Sequence, residues 1–239
     1  MVTQMKREDS FNDEYIKEWR KLIKLYEFAV HEINTKIKIL TEELYVFYQE
    51  SPMEHIKTRV KTPQSIIKKL EKRNIEASPE NAKKYLTDIA GIRIICSFTS
   101  DIYKIFEMLE NQKDIELVTY KDYIANPKKS GYQSLHMIIK IPVFLSDGEI
   151  EVPVEIQIRT IAMDFWASLE HKLKYKYDHK APKHIEDELR DCAMRINDLD
   201  SRMLRIKYEI DNFDENDLDD VYENELDDVY ENQGENYVK

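Results

Sequence analysis

The sequence predicts an α/β (α+β) fold, in which a mixed β-sheet carries packed helices and is flanked by long N- and C-terminal helices. Three observations lead there. Residues 11–48 lack Gly and Pro and carry an apolar stripe in steps of three and four. Residues 185–210 carry a second such stripe. Between them lie short β-branched runs that alternate in polarity, and the two periodicities together indicate a sheet with helices on it.

In order, Tyr15, Trp19, Leu22, Tyr26, Val30, Ile33, Ile37, Leu40, Leu44 and Phe47 mark one amphipathic helix, or two with a break near Asn34 and Thr35. Strands are expected at about 92–98, 115–121, 135–142 and 150–159. A helix near 100–110 has Ser100 or Asp101 as its expected N-cap. Another helix is expected over 160–177, burying Ile161, Phe165, Leu169, Leu173 and Trp166. After Pro182, the stripe Ile185, Leu189, Cys192, Ile196, Leu199, Met203, Ile206 and Ile210 predicts the C-terminal helix.

Charge divides the chain. Of a formal net charge of −11, residues 211–239 account for all, with twelve Asp or Glu and one Lys. This tail repeats DLDDVYEN as ELDDVYEN, and such acidity with few aliphatics predicts disorder. It reads as a solubilising tail, an acidic mimic competing for the chain's own basic surface, or a partner-binding repeat. The body is neutral, but residues 55–73 hold seven Lys or Arg against one acid. That stretch suits a polyphosphate or nucleic acid. The four glycines form neither a P-loop nor a dinucleotide fingerprint, and no HExxH occurs. A phosphate site must therefore be built from cationic side chains and a metal. The apolar runs are too short to span a bilayer and the N-terminus lacks a signal core, so no membrane association and a cytoplasmic location are expected. Two distant cysteines argue against a disulfide framework or a Cys-based zinc site.

Strand parity supplies the candidate chemistry. In EVPVEIQIR, Glu155, Gln157 and Arg159 share a face opposite Val152, Val154, Ile156 and Ile158. Pro153 suggests that the strand begins or lies at an edge there. Arg93 and, on a further strand, His136 and Lys140 occupy polar faces of their own. If these faces coincide, one side of the sheet is a cationic surface with one carboxylate; an ordinary wet face is the alternative. Asp88 precedes Gly91, a glycine that suggests close backbone approach. Asp88 and Glu155 together would suit magnesium, which takes oxygen ligands, whereas Asp88 alone would suit a cap. In NPKKSGYQSLH, Lys128, Lys129 and Tyr132 surround Gly131, as in a loop that grips phosphate and stacks a base, or in a solvated hairpin.

The segments RVKTPQSIIKKLEKR, DIAGIRIIC, KDYIANPKKSGYQSLH, VEIQIRT and AMDFWASLEHKLKYKY occur in this order. Over about residues 50–180 the chain resembles the RelA/SpoT-type alarmone synthetase domain, in the stand-alone form of small alarmone synthetases of the RelQ or RelP kind. The resemblance implies a mixed sheet of about five strands related to nucleotidyltransferase palms. It implies transfer of pyrophosphate from ATP to the 3′-hydroxyl of GDP or GTP, without the hydrolase domain of long members. By matched motif, Asp88 and Glu155 would hold magnesium, with Glu155 also deprotonating the hydroxyl. Arg59, Lys69, Arg93 and Lys121 would grip ATP, although Lys121 replaces a frequent Arg and loses its planar fork. Tyr132 would stack on guanine, with Lys128, His136, Gln157 and Asp164 on the same nucleotide. A homotetramer, regulatory alarmone in a subunit cleft and single-stranded RNA are further implied.

The corresponding division of the chain is an N-terminal helical region to residue 50, a core over 51–180, a helix over 181–212 and the acidic tail from 213. An RNA-binding module that keeps the fold without catalysis is the competing reading, favoured by the 55–73 cluster.

Overall fold

The computed structural model describes residues 2–176 and 182–212. Its elements are α1 (Val2–Tyr48), β1 (Met53–Val60), α2 (Pro63–Glu71), α3 (Pro79–Tyr85), β2 (Ala90–Cys96), α4 (Thr99–Glu110), β3 (Glu116–Asp122), β4 (Leu135–Leu145), β5 (Gly148–Thr160), α5 (Ile161–Lys176) and α6 (Lys183–Asp211). The acidic repeat and its expected disorder lie outside the described residues.

The five strands form one mixed sheet in the order β1-β2-β5-β4-β3. Only β2 and β5 run parallel; the other pairs are antiparallel. One face is apolar, with Ile92, Ile94, Met137, Ile139, Val154, Ile156 and Ile158 all buried. Helix α1 covers it through Trp19, Leu22, Tyr26, Ala29, Ile33 and Ile37. Each fully buried Leu or Ile there stabilises the fold by about 1.5–3 kcal/mol, which holds α1 unbroken through Asn34 and Thr35. Tyr15 and Phe47, at the ends of the expected stripe, remain exposed.

Other departures have local causes. Strand β1 falls in the cationic stretch, where no apolar alternation signals it; it is an edge strand, and lysines at an edge discourage pairing with other chains. Strand β5 is central, not an edge. Pro153 is nevertheless accommodated, because β2 pairing begins at Val154 and leaves residue 153 unpaired on that side. Position 98, not Ser100 or Asp101, caps α4: the Asp101 carboxylate accepts the Phe98 N–H at 3.0 Å. On α5 the buried side chains are Met163, Asp164, Trp166 and Ala167, while Ile161, Phe165, Leu169 and Leu173 are exposed. Periodicity located an apolar face without revealing that none of the described residues covers it.

Helix α6 packs on α5, with the Trp166 indole donating to the Leu189 carbonyl at 2.9 Å. It also meets the loop before β4. Gly131 has φ +87°, and a Cβ there would lie 2.4 Å from the Ala193 Cβ. Gly131→Ala is therefore expected to cost about 1–3 kcal/mol. Thermal melts would show Ala193→Gly returning part of that loss in the double variant, and strictly additive losses would refute the contact.

Candidate active site

Strand register assembles the polar face row by row. Lys57, Arg93, Gln157, His136 and Lys121 are successive cross-strand partners from β1 to β3. In the next row come Arg59, Gly91, Glu155, Ile138 and Thr119. A hollow of about 280 Å³ opens over the β1-β2-β5 part, lined by Lys57, Arg59, Gly91, Arg93, Glu155 and Gln157 among others. Gly91 forms its floor. A side chain there would meet Arg59 Nε at 3.6 Å, ordinary contact, so this glycine leaves room instead of permitting a tight turn. The volume is at the lower end of single-ligand sites. It suits a polyphosphate, with nucleoside parts extending along the open face.

Glu155 lies in the middle of this cationic surface. His136 Nδ1 is 3.8 Å from its Oε1. Burial, together with nearby Arg159, Lys128 and Lys121, pushes the imidazole down to about 4. His136 is thus neutral near pH 7, and Glu155 has no ion-pair partner among the described residues. Asp88 is at the same end of the β2–β5 pair, three residues before Gly91, whose strand partner is Glu155. Lys61 Nζ approaches its Oδ2 at 2.9 Å, and Lys69 binds the same oxygen. Burial opposes ionisation of Asp88, but the hydrogen bonds from Lys69 and Lys61 outweigh it and hold the carboxyl below its usual range. Lys69 therefore grips Asp88 in this structure.

The depressed histidine has a stability consequence. Its folded value, about 4, is below the ordinary 6.5, so the unfolded chain takes up the proton first. The contribution is complete above pH 6.5 and is lost as pH falls through about 4; its full size is on the order of 3 kcal/mol. Urea denaturation at several pH values should show a shallower decline for His136→Gln than for the parent chain. Parallel declines would exclude the effect.

At the β4 end, Tyr132, Tyr123 and His136 form an aromatic cluster, with Lys128 Nζ 4.6 Å from the Tyr132 ring centre and 4.4 Å from that of Tyr123. Helix α5 begins as β5 ends, which brings Asp164 beneath the hollow. Its Oδ1 accepts from Arg93 Nη1 at 3.1 Å and from Arg159 Nη1 at 3.2 Å, and Lys57 Nζ is 3.7 Å from Oδ2. Burial and the charge of Arg159 lower the Arg93 value, while Asp164 opposes them. Asp164 is thus held under two guanidinium groups, its carboxylate already engaged by both. Lys121, expected beside ATP, lies on the far edge strand next to His136, roughly 19 Å from β1 at the usual strand spacing. Lys140 turns to Glu116 at 3.0 Å, away from the hollow.

Two contributors were given no individual role by the sequence reading of the site. Lys57 would have joined Arg59 by period-two spacing had β1 been read as a strand. Arg159 was placed on the polar face by parity but received no role. Among the described residues, no helix is long and apolar enough to cross a membrane.

Residues 58–180 match the family model described as a region found in RelA / SpoT proteins. The GTP pyrophosphokinase YwaC of Bacillus subtilis is 45% identical over 196 residues, covering 82% of this chain and 93% of that protein. Small alarmone synthetase 1 of Bacillus subtilis, solved bound to its product pppGpp, superposes with a TM-score of 0.73 at 38% identity, covering 81% of this chain and 98% of that one. The same synthetase bound to AMPCPP gives 0.68 at 34% identity, over 82% and 99%.

Proposed function

The chain belongs to the RelA/SpoT family, and from this premise we infer that it is a GTP pyrophosphokinase, making (p)ppGpp from ATP and GDP or GTP. The observation that carries this reading is the register itself, which sets Glu155, without an ion-pair partner among the described residues, among Lys57, Arg59 and Arg93. An RNA-binding module would use the cations but has no need of a carboxylate in their midst, where it repels phosphate.

In the reaction the 3′-hydroxyl oxygen of the guanine nucleotide attacks the β-phosphorus of ATP. The new O–P bond forms as the bond from that phosphorus to the α–β bridging oxygen breaks, and AMP leaves with the electron pair. Glu155 accepts the hydroxyl proton, since a ribose hydroxyl is a weak nucleophile near pH 7. Arg93, Arg59 and Lys57 bind the triphosphate and stabilise charge that grows on its oxygens. Tyr132 stacks on guanine, with Lys128, His136 and Gln157 toward its sugar and phosphates; Lys121, beside His136, joins this group and not the ATP side.

The donor set fits magnesium: two hard carboxylates at one end of the β2–β5 pair, as an ion that keeps waters and phosphate oxygens requires. Asp88 and Glu155 would hold it, Asp88 by exchanging its lysine contacts. When bound, magnesium supplies charge neutralisation on the phosphate oxygens. The exposed Ile161, Phe165, Leu169 and Leu173 support assembly into a homo-oligomer, a tetramer by the resemblance, which mass measurement in solution checks.

Incubation with labelled ATP and either GDP or GTP, followed by chromatography, tests the activity. Label transfer to the guanine nucleotide with release of AMP is expected; nucleic-acid binding without transfer would support the other reading. Adding pppGpp or a single-stranded RNA to the same assay tests the regulation implied by the family.

A further inference from the structure

Arg159 is 5% exposed, the most buried charged residue among those described. Burying a guanidinium costs several kcal/mol unless it is paired and hydrogen-bonded, so its partners matter. One arm, Nη1, donates to Asp164 Oδ1 at 3.2 Å. The other, Nη2, donates to Gln157 Oε1 at 2.9 Å and to the Tyr132 hydroxyl oxygen at 2.5 Å. Its Cζ lies 5.0 Å from the Tyr132 ring centre.

Both ends of this bridge lead to nucleotide-facing groups. Asp164 Oδ1 is shared, because Arg93 Nη1 donates to the same oxygen at 3.1 Å. The Tyr132 hydroxyl also meets His136 Nε2 at 2.7 Å. Because Arg159 donates to that oxygen, the phenolic hydrogen is free to go to Nε2, which places the imidazole hydrogen on Nδ1, on the side of Glu155. A planar fork can hold acceptors on two sides at once, and a lysine ammonium on a flexible stem cannot reproduce this.

We propose that Arg159 is a positioning residue that couples the two nucleotide subsites, holding Arg93 through Asp164 on the ATP side and Tyr132 with Gln157 on the guanine side. The proposal rests on the site reading above. Ordering Tyr132 around a guanine nucleotide orders Arg159, and with it the carboxylate on which Arg93 depends. Each nucleotide therefore prepares the other's site, and the effect is reciprocal by linkage.

Calorimetry on the full chain tests this, measuring GDP affinity with and without AMPCPP, alongside kcat and KM for both substrates. The parent chain should bind GDP about fivefold or more tightly when AMPCPP is present. Arg159→Lys should bring that ratio close to one and lower kcat about tenfold, as misplacement of reacting groups does. Tyr132→Phe keeps the stacking ring, so GDP affinity alone should stay within about twofold while the ratio and kcat fall as in Arg159→Lys. Should Arg159→Lys fail to fold, Tyr132→Phe decides. A parent chain without coupling, or a Tyr132→Phe variant retaining the parent's ratio and kcat, overturns the proposal. A parent chain that binds both nucleotides with coupling yet transfers no pyrophosphate would instead refute the activity.

Discussion

Glu155→Gln should lower kcat by about 10²–10⁴-fold, the range general bases contribute, while nucleotide affinities stay within a few fold. The substitution keeps shape and hydrogen-bonding capacity but removes the basic oxygen. Its cationic surroundings make the result informative. Lys57, Arg59 and Arg93 line the same hollow, and losing a negative charge among them should leave phosphate binding equal or slightly tighter. The expected signature is therefore a fall in kcat with little rise in KM. Single-turnover measurement with labelled ATP checks it, with calorimetry for binding. Turnover near that of the parent would remove Glu155 from its role as proton acceptor. A matched collapse of binding and turnover would instead make it a structural residue.

Asp164→Ala should be the most destabilising substitution at the site. The carboxylate is the shared acceptor of Arg93 and Arg159, with Lys57 nearby. The Arg159 side chain is 5% exposed and that of Asp164 12%. Removing one partner from a buried cluster leaves uncompensated charge, which costs about 3–5 kcal/mol. In a domain of this size that lowers Tm by roughly 6–20 °C. Asp164→Asn keeps an acceptor and should lose less. Because the unpaired cations would then attract phosphate, AMPCPP should raise the Tm of Asp164→Ala more than that of the parent. Calorimetric melts give all three comparisons; an Asp164→Ala variant melting within a degree or two of the parent would contradict the cluster's importance.

Much of this arrangement was legible beforehand, and the exceptions are specific. Strands β2, β4 and β5 announced themselves through β-branched alternation, and parity alone put Arg93, His136, Glu155, Gln157 and Arg159 on polar faces. β1 did not, since an edge strand with one half-buried side needs few apolar residues. Gly91 and Gly131 look alike in sequence, but only Gly131 meets a close neighbour, Ala193, 62 residues further on. No local pattern reports such a contact. Asp164 was expected on a nucleotide from the matched motif; that guanidinium groups from β2 and β5 would enclose it was not evident.

Composition and periodicity were enough for the helices, the polar parity and the absence of a glycine phosphate cradle, because these are properties of neighbouring residues along one chain. The motif order was enough for the family. The arrangement of Glu155 among three cations, the placement of Lys121 on the far edge strand beside His136, and the bridge through Arg159 arose only on folding. They depend on strand order and register, which are set by pairing and burial between segments far apart in the chain. A helix's apolar face likewise shows in its spacing, while whether anything covers that face, as for Phe165 and Leu169 on α5, depends on which surfaces tertiary packing brings against it.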